Sequence, residues 1–245
     1  MHKPEKLRVF CAIDTVDIDL AVSIAKEIRQ YVAGVKLGLE FFGRHGPEGV
    51  RRLRDIGLSV FLDLKFFDIP NTVSGAVAAI AGCRPSLITL HAAGGESMIK
   101  AAVDSNREAA LRLGIEPPAL LGVTVLTSFA QQDLVSLGVK GTVDEQVLRL
   151  AELSERSGLD GVVCSAHELG KLRTVCSANF MLIVPGIRPH GADRNDQKRV
   201  MTPSEAIQAG ANFLVIGRPI TKASNIEQAA KDISEEVGKA LDTQK

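Results

Sequence analysis

The chain has 245 residues, and its 29 Lys and Arg balance its 29 Asp and Glu, so the formal net charge is zero. Chains of roughly 200 to 250 residues commonly form one α/β-barrel domain, so we expect a single domain over residues 1–245. A balanced charge creates no field of one sign to attract nucleic acid or an anionic membrane surface. The composition therefore favours a small-molecule ligand.

The cysteines and the N-terminal region indicate the compartment. Cys11, Cys83, Cys164 and Cys176 form no C-x-x-C pair, which argues against a zinc site and a disulfide framework. The first apolar run is interrupted at Asp14, far short of the roughly 18 residues that a membrane span needs. We therefore expect reduced core cysteines, no export or membrane segment, and a cytoplasmic location.

Short apolar runs alternate with longer stretches of helical period. The runs are residues 7–14, 35–39, 58–65, 87–92, 120–127, 161–166, 181–187 and 213–218. Continuous hydrophobicity is expected of strands that are covered on both faces, and parallel strands need helical crossovers between them. The pattern predicts an α/β fold, a (β/α)8 TIM barrel in a single domain.

Helical signals fill the intervening stretches. Leu20, Ala21, Ile24, Ala25 and Ile28 form one apolar stripe, which predicts an amphipathic helix packed on the barrel.

Two segments carry the signature of a helix start, and one segment is unusually long. Residues 202–205 and 165–168 each place Ser or Thr three positions before Glu, the pattern of a capping box. Residues 188–201 follow the seventh run and exceed the usual loop of about 2 to 6 residues, which is typical of a lid.

Charged residues interrupt the first three apolar runs. Asp14 closes the first run, Lys36 lies within the second, and Asp63 and Lys65 close the third. The period of two directs Asp63 and Lys65 into the barrel mouth, where barrel enzymes place their active sites. Opposite charges gathered there are costly to bury unless each is paired. The sequence therefore predicts a site that fixes an ammonium and a carboxylate against a substrate.

A second cluster lies at the ends of the last two runs. Residues 184–188 and 216–219 each join glycine to arginine at the two strands where barrels commonly bind phosphate. Glycine lets the backbone approach the anion, and the guanidinium matches its oxygens. His91 ends the fourth run and could be a base or a hydrogen-bonding residue behind the site; we favour the second role.

Several motifs together resemble one family. Residues 63–72 (Asp-Leu-Lys-Phe-Phe-Asp-Ile-Pro-Asn-Thr), 126–128 (Leu-Thr-Ser), 185–188 (Pro-Gly-Ile-Arg) and 217–218 (Gly-Arg) resemble bacterial orotidine 5′-phosphate decarboxylases. The motifs keep the same order from Asp14 to Arg218. The resemblance implies a ribulose-phosphate-binding type of barrel. It also implies cofactor-free decarboxylation of orotidine 5′-monophosphate to UMP, the last step of pyrimidine synthesis, without a metal.

The resemblance also implies a role for each matching residue. Lys65 would protonate C6 while Asp63 sits beside the leaving carboxylate and holds Lys65. The other implied contacts are Asp14 and Lys36 with the ribose, Thr127 and Ser128 with the pyrimidine, Arg188, Gln197, Gly217 and Arg218 with the phosphate, and Asp68, Ile69 and Thr72 with the neighbouring site of a homodimer.

Two alternatives remain at this point. A Mg²⁺-dependent sugar-phosphate decarboxylase or lyase of the same barrel group has a similar Asp-x-Lys-x-x-Asp pattern, and Glu40 is the additional acidic candidate for such a site. A non-catalytic sensor of a phosphate ligand is the other alternative, although a sensor does not need a proton donor paired with carboxylates.

Overall fold

The computed structural model describes residues 7–189 and 201–243. Eight parallel strands in these residues close into a barrel, in which each strand pairs with its neighbours in chain order. The strands are β1 (Val9–Ala12), β2 (Gly34–Leu37), β3 (Ser59–Phe66), β4 (Leu87–His91), β5 (Ala119–Val123), β6 (Gly161–Val163), β7 (Met181–Pro185) and β8 (Phe213–Ile216). The predicted TIM barrel is confirmed, whereas one domain over residues 1–245 stays a prediction.

Helices connect successive strands and surround the barrel. They are α1 (Ile18–Ile28), α2 (Leu39–Arg54), α3 (Pro70–Ala81), α4 (Gly95–Leu113), α5 (Gln131–Ser136), α6 (Val143–Arg156), α7 (Leu169–Val175), α8 (Pro203–Gln208), α9 (Arg218–Thr221) and α10 (Ile226–Asp242). Since every strand starts at the same end of the barrel, all the loops that follow the strands meet at the opposite end.

Most predicted runs extend past the end of the actual strand. The fifth run was expected to reach Thr127, but β5 ends at Val123, and Arg218 begins α9 rather than ending β8. Val125 shows the reason, because it is buried although it lies beyond the strand. Hydrophobicity reports burial, and the chain stays buried for a few residues after it leaves the sheet.

Aromatic side chains fill the lower end of the barrel, where the strands begin; the upper end is where the strands end. Phe10 packs edge-on against Phe61 and Phe213, with ring centroids 5.7 and 5.4 Å apart. Gly34 makes room for this packing: a Cβ there would lie 2.6 Å from Phe10 Cε1 and 2.2 Å from the Ser59 carbonyl oxygen. The three rings therefore fill the interior at the end where the strands begin.

The outer core lies between the barrel and the helices. In α1, Ala21, Ile24, Ala25 and Ile28 are buried as predicted, but Leu20 is 46% exposed. Leu20 lies at the edge of the helical arc that the other four residues occupy, so its inclusion in the buried stripe was wrong.

Both predicted capping boxes are present. The Thr202 hydroxyl accepts from the Glu205 N–H, and Glu205 accepts from the Thr202 N–H at 2.8 Å. Glu168 accepts from the Ser165 N–H at 2.8 Å, at the start of a 3-10 turn that leads into α7. Each capping box therefore starts a helical segment directly after a loop at the carboxyl ends of the strands.

The cysteines behave as the sequence indicated. Cys11, Cys83, Cys164 and Cys176 are all buried and unpaired with one another. Burial raises the pKa of the Cys164 thiol well above its ordinary value, with Glu168 acting in the same direction. In residues 7–189 and 201–243, no helix is both long enough and apolar enough to cross a bilayer.

Candidate active site

A cavity of about 560 Å³ opens at the carboxyl ends of the strands. Apolar side chains from the strands form its floor, and charged side chains stand at its rim. Its lining includes Ala12, Asp14, Lys36, Phe61, Asp63, Lys65, Val123, Val125, Leu126, Thr127, Val163, Cys164, Pro185, Gly186, Arg188, Val215, Gly217, Arg218, Thr221 and Lys222. The two clusters predicted from the sequence therefore line one cavity.

The first cluster is a row of alternating charges. The Lys36 ammonium lies 3.3 Å from Asp14 Oδ1 and 3.6 Å from Asp63 Oδ2, and the Lys65 ammonium lies 2.8 Å from the same Asp63 oxygen. The side chains of Lys36 and Asp63 are only 12% exposed, whereas Lys65 is 30% exposed. The inner charges are thus paired, and the Lys65 ammonium faces the open cavity.

Asp63 lies at the centre of this row. Burial raises its carboxyl pKa. The ammonium groups of Lys36 and Lys65 and the hydrogen bonds from Lys65 and Thr89 lower the pKa by more than burial raises it, so the net pKa lies below its ordinary value. Asp63 therefore stays ionised and holds two cations in place.

The backbone of Lys65 is unusual for a strand residue. Its φ is +51°, and the pairing of β3 with β4 shifts between Leu62 and Phe66. A non-glycine residue in this left-handed region costs about 1–2 kcal/mol, and such strain collects at functional sites. The period-two argument correctly brought Lys65 to Asp63, but it did not foresee this bulge.

Thr89 is the site residue that the sequence interpretation missed. It is fully buried on β4, donates to Asp63 Oδ1 at 2.9 Å, and accepts from the Lys65 backbone N–H at 2.9 Å. The available signal was a lone hydroxyl residue inside the apolar run 87–92, two positions before His91. A threonine in a strand is so ordinary that this signal alone does not indicate a site.

His91 lies beside the row of charges but is not among the residues that line the cavity. Its ring is tilted against Phe67 with centroids 5.6 Å apart. Burial and the Lys65 ammonium lower the pKa of His91, and Asp63 partly offsets this. The lowered pKa keeps the imidazole neutral at neutral pH, in keeping with a hydrogen-bonding role outside the cavity rather than a role as the base.

The second cluster lies at the ends of β7 and β8. Arg188 is buried beside the cavity, and its Nη1 donates to the Ile187 carbonyl oxygen at 2.9 Å. Gly217 precedes α9, and Arg218 begins it. Gln197 and most of the predicted lid, residues 190–200, lie outside the described residues.

The remaining predicted residues divide into two groups. Thr127 lines the cavity, whereas its neighbour Ser128 is exposed and is not among the lining residues. Asp68, Ile69 and Thr72 are all exposed and also lie off the cavity of their own chain. Asp68 instead accepts a hydrogen bond from the Ile69 N–H at 2.6 Å.

Comparison with known proteins gives the family of this barrel. The profile of the Orotidine 5′-phosphate decarboxylase / HUMPS family matches residues 7–233, which is most of the chain. The chain belongs to this family. Membership agrees with the resemblance that residues 63–72 carried.

Individual members of the orotidine 5′-phosphate decarboxylase / HUMPS family are similar over almost their full length. A protein of Rhodospirillum rubrum named orotidine 5′-phosphate decarboxylase is 51% identical over 94% of this chain and 93% of its own. A protein of the same name from Paramagnetospirillum magneticum is 45% identical over 94% of this chain and 98% of its own. The crystal structure of orotidine 5′-phosphate decarboxylase from Lactobacillus acidophilus has a TM-score of 0.82 and 36% identity, covering 94% of this chain and 99% of that one.

These relatives bear on the two alternatives left open by the sequence. The family name covers two kinds of protein, but the relatives described here share the decarboxylase name. Glu40, the extra acid of the metal-dependent alternative, is exposed in the first turn of α2 and is not among the cavity-lining residues. Neither the metal-dependent lyase nor the sensor is favoured.

Proposed function

We propose that this chain is a carbon–carbon lyase that decarboxylates orotidine 5′-monophosphate to UMP and CO₂, the last step of pyrimidine nucleotide synthesis. The observation that carries the proposal is the row of charges from Asp14 to Lys65 at the cavity rim. The name shared by relatives such as the 51% identical Rhodospirillum rubrum protein supports it.

Lys65 is the proton donor in this reaction. When the bond from C6 to the carboxylate breaks, CO₂ leaves and the electron pair stays on C6, in the plane of the ring. That pair gains little from the ring π-system, so a fixed ammonium beside it is the available stabilising group. The Lys65 proton then moves to C6 to give UMP, and solvent returns a proton to the amine.

Asp63 serves the same step in two ways. Its contact of 2.8 Å with the Lys65 ammonium fixes the direction of the proton donor. Its negative charge would also lie beside the substrate carboxylate, so departure of neutral CO₂ relieves a repulsion. Because the ammonium takes the developing charge, the proposed reaction needs neither a metal nor an organic cofactor.

Other cavity residues hold the rest of the nucleotide. Asp14 and Lys36 lie at the end of the row away from Lys65 and suit the ribose hydroxyls. Thr127 lines the cavity near the pyrimidine position, and Ser128 follows it. The hydroxyl of Ser128 would have to turn toward the bound ring.

The phosphate is assigned to the loops after β7 and β8. Arg188 and Arg218 provide two guanidinium groups, and Gly217 leaves its backbone accessible. Gln197 is assigned to the same phosphate from the sequence resemblance alone. Binding energy gained at this end can hold the reacting carbon against the charges at the other end.

We further propose that the enzyme is a homodimer with shared sites. Asp68, Ile69 and Thr72 are exposed and lie off their own cavity, and the side chains of Phe67 and Ile69 are 62% and 66% exposed. An apolar strip around a carboxylate suits a protein contact better than water. In this arrangement the three residues complete the cavity of the other subunit.

The activity is tested by mixing purified protein with orotidine 5′-monophosphate and following the loss of ultraviolet absorbance as UMP forms. We expect turnover that EDTA leaves unchanged. Turnover that EDTA abolishes would indicate the metal-dependent alternative, and binding of the nucleotide without turnover would indicate the sensor.

The proton-donor role is tested with Lys65→Ala. We expect turnover to be lost, at least about a thousandfold, while UMP still binds, because UMP does not need the proton. Lys100→Ala is the matched control, since Lys100 pairs with Glu96 on the surface of α4. Near-normal turnover in Lys65→Ala would sink the assignment.

A further inference from the structure

The irregular pairing between β3 and β4 leaves a gap in the backbone ladder directly at the site. Leu62 pairs with Ile88 and Phe66 with Leu90, so four steps along β3 correspond to two along β4. Asp63, Leu64 and Lys65 thus lie opposite Thr89. A strand residue in such a bulge has no regular backbone partner for its N–H group.

The Thr89 side chain fills this gap. Its hydroxyl oxygen accepts from the Lys65 N–H, and its hydrogen goes to Asp63 Oδ1, with both distances 2.9 Å. One hydroxyl therefore contacts the backbone of one charged residue and the carboxylate of the other. Asp63 in turn uses its second oxygen, Oδ2, for the Lys65 ammonium.

These bonds close a ring around the reacting group. The Lys65 backbone is held from behind by Thr89, and its ammonium is held in front by Asp63, which Thr89 also holds. A left-handed, non-glycine backbone persists only when its surroundings determine it fully. Without the hydroxyl, the part-buried Lys65 N–H and the buried Asp63 Oδ1 would each lose a partner.

We propose that Thr89 is a positioning residue, whose hydroxyl sets the direction of the Lys65 ammonium through the Lys65 backbone and the Asp63 carboxylate. The inference rests on the proposed function, in which Lys65 protonates C6. Thr89 is not among the cavity-lining residues, so its effect on the reaction goes through its two partners. Small displacements of a reacting group lower the rate far more than they weaken substrate binding.

The test is Thr89→Val, which has nearly the same shape but no hydroxyl. We expect kcat to fall about tenfold to a hundredfold, while KM and the Kd of UMP change by less than about threefold. Thr89→Ser retains the hydroxyl and should recover kcat to within about threefold of wild type. Thr89→Ala removes the hydroxyl without overcrowding and should match Thr89→Val, so the test stands even if Thr89→Val folds poorly.

Thr124→Val is the matched control. Thr124 is also buried, its hydroxyl donates to the Val163 carbonyl oxygen at 3.1 Å, and it is not among the cavity-lining residues. Its substitution should leave kcat within about threefold of wild type.

Three results would overturn the inference: wild-type kcat in both Thr89→Val and Thr89→Ala, a Thr89→Ser variant as slow as these two, or an equal kcat loss in Thr124→Val. Failure of the proposed function looks different, because then the wild type would not release CO₂ or Lys65→Ala would remain active.

Discussion

Asp63 connects the ammonium groups of Lys36 and Lys65 at the carboxyl ends of the strands. Two ammonium groups lie near its Oδ2, and the Thr89 hydroxyl reaches its Oδ1. Both lysines would repel each other if this carboxylate became neutral. The charge of Asp63 should therefore matter to the stability of the fold as well as to the reaction.

The lowered pKa of Asp63 leads to a prediction for stability against pH. A carboxyl group with a folded-state pKa below its ordinary value of 3.8 stabilises the fold above that value. This contribution is lost as the pH falls through the folded-state pKa, when the buried group takes up its proton. We expect Asp63→Asn to be less stable than wild type by about 3 kcal/mol at neutral pH, and the difference should shrink in acid.

Urea unfolding of both proteins between neutral pH and the acid limit of folding measures this difference. Asp104→Asn, which removes an exposed carboxylate from α4, controls for the change in net charge. A constant gap between wild type and Asp63→Asn at every pH would show that the charge of Asp63 contributes no stability.

At the scale of strands and helices, the charged side chains of Lys36, Asp63 and Lys65 lie directly above the aromatic side chains that fill the lower end of the barrel. Phe10 reaches across the barrel, and Gly34 leaves the space that its ring occupies. Lys36 lies two residues beyond Gly34 on β2 and so points to the same side, one layer higher. Pushing β2 outward at Gly34 would therefore also move Lys36.

We predict that Gly34→Ala destabilises the fold by about 1–3 kcal/mol, because the new methyl group would overlap backbone that cannot rotate away. A Cβ at this position lies 2.2 Å from the Ser59 carbonyl oxygen. Gly170→Ala is the control, since a Cβ there in α7 meets nothing within 4 Å. It should stabilise by about 0.5–1 kcal/mol. Equal thermal midpoints for the two variants would contradict the packing argument.

The elements themselves could be predicted from the sequence, because burial on both faces leaves a continuous apolar run. The sequence did not show the register in which neighbouring strands pair. The bulge that sets Lys65 at a positive φ depends on how β3 aligns with β4, and Thr89 acquires its role only from that alignment. A continuous apolar run that is buried on both faces does not fix the register between neighbouring strands, because it lacks the alternation that specifies register.

Candidate site residues were predictable to the extent that their chemistry stands out. Asp63 and Lys65 are charges inside apolar runs, so burial has to be explained by pairing. Ser128 was assigned by resemblance alone, and in the structure it is exposed and is not among the cavity-lining residues. A hydroxyl in a polar loop carries no chemical signal that separates a site residue from an ordinary surface residue.

At the scale of the whole molecule, the segment that begins at Asp68 lies outside the cavity that the end of β3 helps to form. Asp63 and Lys65 point into the cavity, but Asp68 follows the end of β3 and lies outside it. Asp-x-Lys-x-x-Asp is thus a single motif along the chain that the fold divides in two. The division makes sense if a second subunit receives Asp68.

Mixing two inactive variants tests this division. In a hybrid of Lys65→Ala with Asp68→Ala subunits, one site lacks both residues, and the other combines an intact Lys65 with an intact Asp68 from its partner. Random exchange of equal amounts makes about half of the dimers hybrid, so about a quarter of wild-type activity should return. Lys65→Ala mixed with Asp63→Ala is the matched control, because both residues serve their own barrel and no intact site can form. Subunit exchange is verified by native mass spectrometry. No recovery in the first mixture after verified exchange, or a monomer at assay concentration, would mean that Asp68 does not act across subunits.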